Sequence, residues 1–86
     1  RDLRMSRGLG DVYKRQISYQ EEIKFISNKI RELRKEKQMT VQELAYRCDM
    51  ERSNMSRIES GRTNLTVKTM CIICNALNVN LRDIIR

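Results

Sequence analysis

TVQELAYRCDMERSNMSRIESG, residues 40–61, decides the fold. Its apolar positions Val41, Leu44, Ala45 and Cys48 recur at three- and four-residue intervals, and Met50, Met55 and Ile58 begin a second series after a break at residues 48–51. That periodicity predicts two short amphipathic helices with one buried face each, joined by a tight turn. Thr40 stands where a hydroxyl can accept a bond from a free helical amide, and Glu43 three residues later fits a capping box. Gly61 follows the second series, where a left-handed residue closes a helix, so this helix is expected over about 52–60. Paired helices of this kind are a device for laying one of them in a DNA groove.

On a helical wheel Met55, Ile58 and Glu59 fall on one side of the second helix. Ser53, Ser56 and Arg57 fall opposite, and Arg52 and Asn54 flank the N-terminal end. The outward face therefore reads as hydrogen-bonding groups without a carboxylate. Arginine can donate a bidentate pair to guanine, asparagine can pair with adenine, and serine can serve either. Any solvated helix surface shows the same residue types, so the wheel alone leaves both readings open.

Working outward, Tyr19, Ile23, Ile26, Ile30 and Leu33 share one face and predict a first helix from Ser18 to about Lys37. Arg34 lies at the edge of that stripe, which allows a partly buried Arg34–Glu59 ion pair. Such a pair is expected to fix the angle of the later helix more than to add stability, because desolvation offsets much of the attraction. Beyond Gly61, residues 62–65 form a polar connection carrying Arg62 and Asn64, and Thr66 caps a fourth helix. Val67, Met70, Cys71, Cys74 and Leu77 are its expected inner face, with Ile73 at the margin. Asn80 caps a last short helix with Leu81, Ile84 and Ile85 apolar. The expected fold class is all-α, a compact five-helix bundle containing a helix-turn-helix. The absence of proline and the presence of only three glycines in 86 residues agree with helices throughout.

Residues 1–16, RDLRMSRGLGDVYKRQ, show no sustained periodicity. They read as a disordered or non-native leader ahead of a domain at 17–86, the DVYKRQ end resembling an adapter-encoded piece; the competing reading is a basic arm gripping a duplex backbone. The formal charge of +7 favours an acidic polymer as partner. Five basic and two acidic residues of that balance lie in the leader, so charge supports nucleic acid without deciding it.

Other chemistries find little footing. Cys71 and Cys74 have the spacing of a metal or redox pair, but only Cys48 remains as a further thiol and there is no histidine, whereas a closed zinc site needs four ligands. No metal and no cofactor are expected, and the thiols read as small buried hydrophobes. Without an imidazole base, a Gly-rich phosphate loop or a segregated pair of acids, no catalysis and no small-molecule substrate are expected. No apolar run approaches the length of a membrane span, and Glu21, Glu22, Glu32 and Glu36 on the first helix oppose an anionic lipid surface. A cytoplasmic location is expected.

The stretch from Ile26 to Ile85 resembles the lambda-repressor-like helix-turn-helix family, the Cro/C1 or XRE type. The resemblance is carried by IRELRKEK at 30–37, Thr40, QELA at 42–45, SRIESG at 56–61 and MCIICNALNVNLRDII at 70–85. It implies a five-helix bundle whose third helix reads the major groove. It implies base contacts from Arg52, Ser53, Asn54 and Arg57, and phosphate contacts from Thr40, Gln42, Ser56, Arg62 and Asn64. Two positions depart from the pattern. Val41 stands where a phosphate-binding glutamine is usual, which passes that anchor to Gln42, Thr40 or backbone amides. Asp49 stands where the turn usually has glycine, and aspartate tolerates the left-handed region better than most residues.

One such helix reads few base pairs, so specificity calls for a homodimer on a near-palindromic double-stranded operator with half-sites about 34 Å apart. Ile72, Leu81, Ile84 and Ile85 are the candidates for its interface. The function implied is transcriptional regulation, with repression as the expected sign. The alternative is a helix bundle, such as an antitoxin-type module, whose main partner is another protein.

Overall fold

The computed structural model describes residues 16–86. Among them, helices run Tyr19–Glu36 (α1), Val41–Arg47 (α2), Arg52–Glu59 (α3) and Val67–Leu77 (α4), followed by a single 3-10 turn at Leu81–Asp83. The all-α expectation holds, and the count of five helices is corrected to four. At the last position Asp83 N–H and Ile84 N–H donate three residues back, to Asn80 at 2.9 Å and Leu81 at 3.0 Å. The Asp83 carboxylate also accepts from Asn80 N–H at 2.8 Å. That tight turn drives Ile84 into the core, where it has no exposed surface. The leader reading concerns residues that, Gln16 apart, lie outside those described.

Helix starts follow the capping residues. Ser18, Thr40 and Thr66 each accept a bond from the amide three residues on, at 3.4, 3.0 and 3.1 Å. The expected box at α2 is half made: Glu43 pairs instead with Arg47 at 3.1 Å, one turn further on. Helix stops share one device. Gln38, Asp49, Gly61 and Asn78 all have φ between 57° and 77°. The residue after each one donates back five positions: Met39 to Arg34, Met50 to Ala45, Arg62 to Arg57 and Val79 to Cys74, at 2.9–3.3 Å. These are Schellman closures, which satisfy carbonyls that the helix leaves free. At Gly61 an added Cβ would meet only ordinary contacts, the nearest being Lys24 Cγ at 3.6 Å, so glycine is suited to the backbone angle there and not required by space.

The core is built from Ile30, Leu44, Ala45, Met55, Ile58, Ile73, Leu77 and Ile84, with Met39, Cys48 and Cys74 completing it. α2 packs on α3, and α1 and α4 pack on this pair. Val41, the departure at the start of α2, is half-buried against the core. The inner face of α4 is Met70, Ile73, Cys74 and Leu77, whereas Val67 is 61% exposed and Cys71 is exposed, correcting the face expected for that helix. Tyr19 likewise stands 64% exposed, outside the α1 stripe. No described helix is long and apolar enough to cross a membrane.

All three thiols are free, Cys48 and Cys74 buried and Cys71 exposed. Desolvation pushes the Cys48 thiol up to about 11. Burial raises Cys74 too, with the charges of Cys71 and Asp83 adding to it. Its Sγ lies 3.7 Å from the Asn80 carbonyl, a weak bond for a neutral thiol. Among the described residues no group of three or more His, Cys, Asp or Glu is placed to hold a metal ion. Alkylation of the native protein at mildly alkaline pH is expected to modify Cys71 alone, with Cys48 and Cys74 reacting only after denaturation. Equal labelling of all three by peptide mass spectrometry would contradict this packing.

Candidate nucleic-acid interface

α3 is tied down at its C-terminal end by one row of α1 side chains. Ser27 Oγ donates to the Ile58 carbonyl at 2.7 Å, and Arg31 Nη2 donates to the Glu59 carbonyl at 3.0 Å. Arg34 Nε and Nη2 donate to the two Glu59 carboxylate oxygens at 2.7 and 3.0 Å. Its remaining nitrogen, Nη1, donates to the Met39 carbonyl at 2.7 Å in the α1–α2 connection. Positions 27, 31 and 34 share one face of a helix, so these bonds form a ladder. Arg34 and Glu59 are buried, at 9% and 5% exposure. A fork of donors meeting two carboxylate oxygens and a carbonyl satisfies charges that would otherwise be stranded away from water. The Arg34–Glu59 pair is thus found as expected, while Ser27 and Arg31 were not anticipated; a serine among the isoleucines of α1 was the available signal.

With its inner face fixed, α3 presents Arg52, Ser53, Asn54, Ser56 and Arg57 to solvent. None of these side chains has a hydrogen bond or ion pair among the described residues. Ser53, Asn54 and Arg57 line an open groove of about 420 Å³ together with Asp49, Met50 and Glu51. Arg52 and Ser56 lie outside it on the other flank. The structure therefore brings three of the four expected base-reading residues together. The outward face of α3 itself carries no carboxylate, as expected, but Asp49 and Glu51, just before the helix, share the groove. Glu51 is the N-cap of α3 and makes no side-chain cap bond.

The other expected contact residues take varied places. Thr40 and Gln42 are exposed at the start of α2, and Arg62 is exposed just past Gly61. Asn64 lines a different groove, beside α1, with Tyr19, Glu22, Ile23, Ile26 and Leu65. Of the four interface candidates, Ile85 is exposed, while Ile72 and Leu81 are half-buried against the core. Ile84 is fully enclosed within the subunit and is removed from that set.

A family model described as helix-turn-helix, HTH_3, matches residues 30–84. Among solved structures, the wild-type restriction-modification controller protein C.Esp1396I is 34% identical, with a TM-score of 0.66 over 74% of this chain and 80% of that one. The controller protein C.AhdI from Aeromonas hydrophila is 23% identical, with a TM-score of 0.71 over 74% and 97% of the two chains. The clp gene regulator ClgR from C. glutamicum is 24% identical, with a TM-score of 0.70 over 72% and 80%. At these last two identities the likeness speaks for the fold alone. No curated protein sequence matches the chain.

Proposed function

The chain belongs to the HTH_3 helix-turn-helix family, the Cro/C1 type of DNA-binding transcription regulators, and from that premise we propose that it is a repressor acting as a homodimer on a near-palindromic operator. In this reading α3 enters the major groove. Arg52, Ser53, Asn54 and Arg57 meet base edges, while Thr40, Gln42, Ser56, Arg62 and Asn64 meet phosphates. Occupancy of the operator excludes polymerase, and binding is the whole mechanism, with no catalytic step.

The observation that carries the reading is the set of donors on Ser53, Asn54 and Arg57, without a partner among the described residues and gathered in one groove on a helix whose far end is clamped by the buried Arg34–Glu59 pair. Fixed orientation with free recognition groups is what direct readout needs. Ile85, with the half-buried Ile72 and Leu81, supports the dimer contact. The test is selection of bound sites from a randomised duplex pool, with light scattering on the protein with and without the selected site. A two-fold-related motif bound by a dimer supports the reading, and indifference to every duplex ends it. Arg62→Ala is expected to weaken all sequences alike and reduce the slope of log affinity against log salt by about one unit; a base-specific loss would move Arg62 to the reading set.

A further inference from the structure

The groove at the start of α3 is where free carboxylates meet the reading residues. Asp49 and Glu51 line it with Ser53, Asn54 and Arg57. Both are exposed, and neither carboxylate has a hydrogen-bond or ion-pair partner among the described residues. For Asp49 the fold supplies a reason, since it closes α2 with φ 57°. For Glu51 it does not. The N-cap side chains of α1, α2 and α4 all accept an amide, whereas that of Glu51 leaves the first turn of α3 uncapped. Serine, threonine, aspartate or asparagine would cap better.

A carboxylate at this place is repelled by phosphate and offers nothing to the acceptor atoms of guanine or thymine. What it can do in a major groove is accept a hydrogen bond from an exocyclic amino group, and cytosine N4 suits it better than adenine N6, because the N7 acceptor beside N6 repels the second carboxylate oxygen. We propose that Glu51 is a specificity-determining residue that selects cytosine at one operator position and excludes guanine from it. The proposal rests on the DNA-binding reading above and extends it from groups that donate to a group that accepts. Exclusion matters as much as attraction, because a charged acceptor facing an acceptor edge is both unpaired and desolvated.

Selection from a randomised duplex pool with wild type, Glu51→Ser and Glu51→Gln tests this. Serine is a favoured N-cap, so α3 keeps its start, and thermal melting of each variant verifies the fold. Wild type is expected to prefer cytosine at one position by roughly ten- to hundredfold. Glu51→Ser should flatten that position alone while leaving the others as they were. Glu51→Gln should move the preference there toward adenine, which glutamine can engage bidentately. Unchanged selections for both variants would overturn the proposal, leaving Glu51 as a charge that merely complements the helix N-terminus. In that case wild type still selects a site and the operator-binding reading stands; wild type that retains no duplex at all overturns both.

Discussion

Glu59→Ala is expected to lower the stability of the domain by about 3–5 kcal/mol, because it leaves the Arg34 guanidinium buried without its counter-charge. Among the described residues two of the three Arg34 bonds go to Glu59, and the Met39 carbonyl cannot neutralise what remains. Domains of this size commonly have a total stability near the lower end of about 5–15 kcal/mol, so the variant should be largely unfolded at 37 °C. Urea unfolding followed by circular dichroism measures the loss. Arg34→Lys is expected to fail as a rescue, since an ammonium cannot present a planar fork to a carboxylate and a carbonyl together. The paired change Arg34→Met with Glu59→Leu should recover most of the stability, because apolar residues of similar volume avoid the desolvation altogether. A Glu59→Ala midpoint close to wild type would show that the pair is wet.

Arg57→Ala carries the second large effect. Arg57 is exposed on α3 with Ser53 and Asn54 beside it in the groove, and its side chain makes no bond among the described residues that the substitution would break. Folding should therefore be preserved while affinity for the selected site falls by about 1–3 kcal/mol, the worth of one bidentate arginine–guanine contact. Sequences already lacking the preferred base at that position should lose much less. Titrating the variant against the selected operator and its single-base variants separates these outcomes. A uniform loss on every sequence would make Arg57 a phosphate contact and shift the reading face toward Arg52.

How much was legible beforehand depended on whether a side chain or a backbone group made the contact. Arg34 and Glu59 could be paired from their positions because both fall on inward faces, and charges on such faces need partners. The Ser27 and Arg31 bonds could not, since their acceptors are the Ile58 and Glu59 carbonyls and every residue has one. The stops at Asp49, Gly61 and Asn78 carry residue types suited to positive φ, whereas Gln38 gives no such signal and takes φ 58° because the α1–α2 turn requires it. In α4 the apolar residues nearly encircle the helix, so periodicity could not choose between a face with Val67 and Cys71 and the one with Ile73 that packs inward. Glu51 falls outside the helical wheel of α3, which starts at Arg52, yet as the cap residue just before it Glu51 belongs to the same groove.

The ladder from α1 gives α3 the mechanics of a cantilever. Its root, at Ile58 and Glu59, is fastened by Ser27, Arg31 and Arg34, while among the described residues no comparable side-chain bond secures the tip at Arg52–Asn54. On the proposed reading, the root keeps the bearing of the whole helix constant, and the exposed side chains at the tip are free to adjust to the groove.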